Sequence, residues 1–421
     1  MYPRKQLDIS WTDLAAGLAG CALPLHAAAE RDTVERIWSP AGQAFACLSV
    51  RTGFDLLLRA LELPPGSEVI VSAITIPHMV QIIEHHGLVA VPVDVDTDTL
   101  QVSAGGVEAA VTSRSRMVLV AHVFGSRMDL RGVASIARDH NLLLVEDCAQ
   151  AWAADGWRGS RSADVSMFSF GTIKTATALG GAVFTVRQPS LRARLGAFEE
   201  LLPRRSTGVF RGRMCKYALL KAASDNPGTY GALLSAIAAT GRDPDQVIMA
   251  ASRGFSGPDF WRLVRQRPSA ALLRLLGRRL RDPQPSGVDR RRAAGNALLA
   301  RLTGVEVVGA AAVGCSWWLF PVVAANRESL RTLLSEAGFD ATLGSTSLTS
   351  VAAPRGRPEP LAAHRAMRNI LYVPVHADMS AAALDELAAL LNQHAISLER
   401  HNGDDLSDSQ QAQSARGRRA A

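Results

Sequence analysis

An α/β fold is what this chain predicts: a mainly parallel central sheet with helices on both faces, then a smaller C-terminal α+β domain. Three observations carry that prediction. Between Ala44 and Val186, short runs rich in Val, Leu and Ile recur largely without polar alternation, the pattern of strands buried on both faces. Helical segments separate most of them, the rhythm of crossover connections. After Pro189 strand signals become sparse, and they return only beyond Pro283-Gln284-Pro285-Ser286-Gly287, which reads as a linker.

Residues 1–43 read as an N-terminal arm with one helix in LDISWTDLAAGLAG. FACLSV is a strand. Thr52 to Leu61 has the apolar spacing of a helix, ended by Pro64-Pro65-Gly66. Glu68–Ser72 is a strand, Pro77–His86 a helix with Pro in its first turn, and Val89–Val93 a strand leading into the Asp/Thr turn DVDTDTL. Met117–Ala121, Leu142–Glu146, Val165–Ser169 and Ala182–Val186 complete the strands, with a helix over Leu130–His140. Leu191–Leu202 is helical, and 203–288 is a helical, basic region within a large domain spanning 44–288. A helix restarts near Arg290. Val305–Val308 and Trp317–Val323 are strands of the small domain, 289–400, with helices over Arg327–Ala337 and Ser380–Leu391. The polar tail, 401–421, has the composition of a disordered segment.

Composition narrows the function. Hydrophobic residues make up 48%, and no run of about 18 apolar residues occurs, so no transmembrane helix is expected. The N-terminus lacks the apolar core of a signal peptide. Five scattered cysteines without a CxxC argue against a disulfide framework or zinc site and fit a reducing cytoplasm. The net charge is +7, with an arginine-rich stretch from Arg253 to Arg292. That stretch reads either as a solvated helix face or as an attractor of phosphates, nucleotides or acidic lipid. Without aromatic interleaving or a nucleic-acid motif, nucleic acid is not an expected partner.

The chemistry gathers at DVSMFSFGTIKTATALGGAV, residues 164–183. Lys174 is one of only four lysines in a chain otherwise served by Arg, and its neighbours are apolar or small. A desolvated lysine can lose its proton and attack a carbonyl, whereas arginine cannot. Lys174 is therefore either a Schiff-base lysine or one snorkelling from a strand end. Ligands in open α/β sheets bind at carboxyl ends of strands, where Asp147 and Ser169 also fall. A pyridoxal phosphate site needs these types: a lysine for the imine, an acid on the ring nitrogen and donors for the phosphate. Asp147 suits the acid or a helix N-cap. Gln150 suits the cofactor's phenolic oxygen or a cap. The strand-to-helix turn Ser49–Gly53, with Arg51 and Thr52, suits an anion. His122 faces the site or the core. His85-His86 reads as a surface pair, and Trp317-Trp318 with Phe320 as core.

In order, SVRTG, EVIVSAITI, VPVDVDTDTL, VLVAHVFG, LLLVEDCAQA, ADVSMFSFGTIKTATALGGAV, CSWWLFPV and LYVPVHADMS resemble the DegT/DnrJ/EryC1/StrS aminotransferases. These are fold-type I pyridoxal-phosphate enzymes that mostly act on nucleotide-linked keto sugars. The resemblance is dense over 45–186, thinner over 290–391 and poor over 203–288. It implies pyridoxal 5'-phosphate as cofactor and Lys174 as its imine lysine and proton shuttle. Asp147 becomes the pyridinium partner, Gln150 a neighbour of the ring, and Ser169, Arg51 and Thr52 phosphate ligands. It also implies glutamate or glutamine as amino donor, a keto acceptor, and a homodimer with sites at its interface. The basic stretch adds that the acceptor is anionic. A lysine in place of the His found in dehydratase members favours transamination over elimination, and no attached DNA-binding module supports a non-catalytic regulator. The family's ring-stacking aromatic is replaced by Ile76, with His78 nearby. The family's Asn-Tyr-Arg loop has its nearest counterpart at Gly254-Phe255-Ser256. The substrate-side His and aromatic are replaced by Ser345 and Thr346.

Overall fold

The computed structural model describes residues 1–252, 255, 259–344 and 348–394. Ser345, Thr346, Gly254, Ser256 and the tail lie outside the described residues. The strands are β1 (Ala44–Cys47), β2 (Glu68–Ser72), β3 (Ile74–Thr75), β4 (Val89–Val93), β5 (Ser115–Ala121), β6 (Leu143–Asp147), β7 (Val165–Ser169), β8 (Ala182–Val186), β9 (Phe320–Val323), β10 (Thr349–Ser350) and β11 (Ile370–Val373). Seven of them form one sheet in the order β1-β8-β7-β6-β5-β2-β4. Pairing is parallel from β7 through to β4 and antiparallel on both sides of β8, so β8 alone runs against the others. The carboxyl ends of β1, β2, β5, β6 and β7 therefore meet the start of β8 along one edge.

The unalternating apolar strands do what that pattern predicts. Along β2, Val69 and Val71 join a core with Phe54, Leu57 and Ile82, from the helices Val50–Leu61 and Pro77–His85. Ile70 points the other way, into a core with Val107, Val133 and Ala137, from the helices Ala104–Ala110 and Arg131–Asp139. Under β1 and β8 that second face is covered by Leu14, Val34, Trp38, Leu272 and Leu276. A further core, from Ala294 to Leu391, surrounds the antiparallel pair β9–β11. The small strand β10 crosses back to pair with β3, Thr349 opposite Thr75.

Several sequence expectations are corrected. The arm holds two helices, Trp11–Gly20 and Ala27–Trp38, rather than one. The second was missed because its face is mostly charged and only Val34 and Trp38 are buried. Pro283-Gln284-Pro285-Ser286-Gly287 is not a free linker: the helix Pro285–Leu299 starts within it, with Pro in its first turn. Val305–Val308 makes a single bridge, Val307 to Val322, and is not a strand. Trp317 precedes β9, its φ of 46° breaking any extended run. The region 203–288 is helical as expected, in five segments from Thr207 to Arg281. No helix among the described residues is long and apolar enough to cross a membrane.

The basic stretch is mostly paired. Arg278 and Arg279 both donate to Asp13, and Arg279 also reaches Asp8. Arg274 pairs with Glu30, Arg265 with Asp55 and Arg267 with Glu200. Arg274, Arg278 and Arg279 fasten the helix Ala270–Arg281 to the arm, while Arg265 and Arg267 tie the segment before it to the helices Val50–Leu61 and Pro189–Glu200. His85-His86 is likewise not a plain surface pair: His86 bonds Asp55 at 2.9 Å, and His85 stacks on Trp261 at 3.8 Å.

Candidate active site

The sheet edge converges on a cavity of about 630 Å³, a size suited to a cofactor and part of a substrate. Three local devices shape it. Ser49 caps the helix Val50–Leu61, its Oγ accepting the Thr52 N–H at 3.1 Å. That helix can approach the sheet because residue 53 is Gly; a Cβ there would overlap the Phe184 ring. Gly181, at φ 87°, donates its N–H to the Leu48 carbonyl and accepts from Phe170 N–H, tying β1 to the end of β7.

Lys174 stands in the loop that follows. Its N–H closes a turn onto the Gly171 carbonyl, and Thr177 Oγ1 donates to that same carbonyl at 2.6 Å. Asp8 of the arm accepts the Ala176 N–H at 2.8 Å. The loop is thus held from both sides. Burial lowers the Lys174 amine from 10.5 to about 7; the Asp147 charge pulls it back up and Arg51 pushes it down further. An amine so placed is substantially neutral at neutral pH, which a snorkelling lysine would not be. Asp147, ending β6, has its carboxyl pushed up by burial, against the Ala149 N–H, Lys174, His122 and Arg51. Each of the two groups stabilises the other's charged form.

Lys174, Asp147, Gln150, Ser169, Arg51 and Ile76 all line the cavity. Ser169 Oγ accepts the Gly171 N–H at 3.4 Å, and its own proton meets no acceptor among the described residues. Gln150 Oε1 accepts the Phe124 N–H at 2.8 Å, so its amide is fixed from the β5 side. Thr52 is a correction: its hydroxyl donates to the Val264 carbonyl at 2.7 Å and bonds Ser49 Oγ, so it braces the turn rather than facing the cavity. Arg51 donates Nε to His78 Nδ1 at 3.1 Å, and the His78 ring lies flat on Phe260 at 4.6 Å. His122 lines the wall while its nitrogens serve Glu146 Oε2 and the Met128 N–H. Glu146, His122 and Cys148 bring ligand atoms within 4.8 Å of one another. The Glu146 oxygens, however, are already spent on His122, Ser166 and the Ser160 N–H.

Sequence reasoning missed several neighbours. Trp318 is not plain core: it lines the cavity, its indole donates to the Ile173 carbonyl at 3.2 Å, and Lys174 Nζ lies 4.0 Å from its ring. Lys5 of the arm donates to the Trp318 carbonyl at 2.5 Å and sits 3.9 Å from the same ring. Arg213 lines the wall and bonds the Leu179 carbonyl at 3.0 Å. The scarcity of lysine was the one signal that could have flagged Lys5. Nothing local distinguishes Arg213 from its many neighbouring arginines.

This donor set fits pyridoxal phosphate. A desolvated lysine and a buried carboxylate share one cavity. At its helix-start end stand donors that meet no acceptor among the described residues: the N–H groups of Val50 and Arg51 and the Ser169 hydroxyl. Residues 28–217 match the model of the DegT/DnrJ/EryC1/StrS aminotransferase family. Over that span the resemblance read from the motifs is borne out. One relative, the UDP-N-acetyl-3-dehydro-α-D-glucosamine 3-aminotransferase of Acidithiobacillus ferrooxidans, is 36% identical over 136 residues, 32% of this chain and 37% of its own length. Another, GDP-perosamine synthase of Caulobacter vibrioides, is 34% identical over 155 residues, 36% and 42% of the two chains. The aligned stretch thus spans well under half the length of either relative. The fold extends further. Aminotransferase TlmJ from Streptoalloteichus hindustanus superposes with a TM-score of 0.68 at 20% identity, over 94% of this chain and 100% of its own. Sugar aminotransferase CalS13 from Micromonospora echinospora gives 0.66 at 20% identity, over 93% and 100%. The chain has the fold-type I architecture of these enzymes.

Proposed function

We propose that the chain is a pyridoxal-phosphate aminotransferase that moves an amino group from glutamate or glutamine to a keto acceptor of the sugar class. The observation that carries this is Lys174: an amine lowered to about 7 by burial, facing Asp147 in one cavity. The acceptor class rests on the two relatives, whose names place amino groups on nucleotide-linked sugars. A homodimer belongs to the same reading.

Bound there, pyridoxal phosphate would supply a carbonyl for amines and a protonated ring that accepts the electrons of a breaking Cα–H bond. Neutral Lys174 Nζ would hold the cofactor through that carbonyl and, once the donor's amine takes its place, would accept the proton from the donor's Cα as general base. The same Nζ, then protonated, would deliver that proton as general acid to the carbon of the former carbonyl rather than back to Cα. Trp318, bonded to the Ile173 carbonyl, holds the lysine loop in place. Asp147, ionised, would keep the ring nitrogen protonated. Ser169 and the start of the helix Val50–Leu61 would hold the phosphate. Ile76 offers an apolar contact where relatives stack an aromatic ring.

The test is direct. The purified chain incubated with pyridoxal phosphate should acquire an absorbance band that borohydride fixes on the Lys174 peptide, and should release 2-oxoglutarate from L-glutamate. A chain that binds the cofactor yet leaves glutamate and glutamine unchanged is not an aminotransferase.

A further inference from the structure

We infer that the Arg51 guanidinium receives the carboxylate of the amino donor, rather than the cofactor phosphate. The inference rests on the proposed function and deepens it. Arg51 lines the cavity beside Lys174. Its Nε is spent on His78 Nδ1, and the His78 ring is itself fixed flat against Phe260. Phe255 lies over the guanidinium at 5.5 Å. These contacts lock the plane of the group. Its two terminal nitrogens meet no acceptor among the described residues, and the residue lines the cavity. A locked guanidinium with two free parallel donors is the geometry that binds a carboxylate in bidentate fashion.

Charge balance points the same way. Asp147 is the carboxylate acting on Arg51, which burial depresses to about 10. In the proposed reaction Asp147 serves the ring nitrogen, so the guanidinium needs another anion. The phosphate has its own donors in the helix start and the Ser169 hydroxyl. Arg51's side chain leaves that helix start and crosses to His78, beyond the β3 turn. The donor's carboxylate is bonded to the carbon that carries its amine. That amine must come to the place of Lys174 Nζ, so its receptor must stand near Lys174. Arg51 does, since its charge depresses the Lys174 amine.

The experiment compares Arg51→Gln and Arg51→Lys with wild type, all as the full chain. Pyridoxal phosphate affinity is read by equilibrium dialysis. Glutarate, a dicarboxylate without an amine, is titrated into the loaded protein and read from the shift of the cofactor absorbance. Arg51→Gln should weaken glutarate about 10- to 100-fold, the loss expected for a charged hydrogen-bonded partner, with cofactor affinity within about threefold of wild type. Arg51→Lys should fall between, keeping the charge and losing the fork; it decides the question if the Gln variant does not fold. Glutarate binding unchanged in both variants, or cofactor affinity falling as far as glutarate affinity, overturns the inference. Failure of the wild type to bind pyridoxal phosphate at all would instead overturn the proposed function.

Discussion

The edge of the large sheet and the arginine-rich stretch from Arg262 to Arg292 use charge in opposite ways. In the stretch most arginines have found an acid, Asp13 taking two and Asp55, Glu30 and Glu200 one each, whereas Arg291 donates only to the Ser316 carbonyl. At the sheet edge half-buried Lys174 and Arg51 and buried Asp147 line one cavity, with no direct ion pair between them among the described residues. An excess of positive charge in the sequence therefore marks a structural fastening in one place and the lining of a cavity in the other. What separates the two is whether folding brings a carboxylate to the cation or leaves the cation beside empty volume. Perturbed groups of the second kind are the ones expected at functional sites. The expectation that the stretch recruits an anionic acceptor loses its main support, because its charge is mostly spent within the fold.

The contrast can be broken most decisively at Lys174. Lys174→Ala should lower turnover by about 10²- to 10⁴-fold or more and abolish the borohydride-stable adduct; an adduct surviving on another lysine would move the site to Lys5. Asp147→Asn comes next, with a loss on the order of 10²-fold. It should also move the pH midpoint of Lys174 labelling by an amine reagent in the cofactor-free protein, read by peptide mass spectrometry. The wild-type midpoint should lie near pH 7 rather than 10.5. Because the Asp147 charge favours protonated Lys174, the variant midpoint should fall; a rise would show that burial at this edge does not work as described.

The same depressed amine has a stability consequence. Its folded value lies below its unfolded one, so the unfolded chain binds more protons between pH 7 and 10.5. Stability of the cofactor-free protein should rise with pH across that window. Urea midpoints measured along it should climb less steeply in Lys174→Ala. On the other side of the comparison, Asp13→Asn removes the acid shared by Arg278 and Arg279 and should cost about 1–3 kcal/mol, while cofactor binding survives. Arg262→Ala breaks a fully exposed pair with Asp259 and should leave the urea midpoint where it was.

The residues that line the cavity at the strand ends were largely legible because they are short-range features. Asp147 ends an apolar strand, Ser169 ends another, and Lys174 follows in a glycine-bounded loop, so strand-end logic locates all three. Thr52 misled because a threonine at a helix start looks the same whether it faces a ligand or braces a neighbouring carbonyl, as here with Val264. Trp318 and Lys5 were illegible for the opposite reason. They reach Lys174 from 144 and 169 residues away in number, and no local pattern marks a tryptophan that lines a cavity from one that fills a core.

By itself the sequence determined the type of sheet, the edge on which the cavity opens and the identity of the desolvated amine that lines it. Each of these follows from hydrophobic periodicity and from the cost of burying an ammonium group, which act over a few residues. Only the tertiary structure decided which cations are spent and which are held in reserve. Pairing depends on where distant carboxylates arrive: Asp13 comes to Arg279, whereas Arg51, which lines the cavity, gives its Nε to a histidine and pairs with no acid among the described residues.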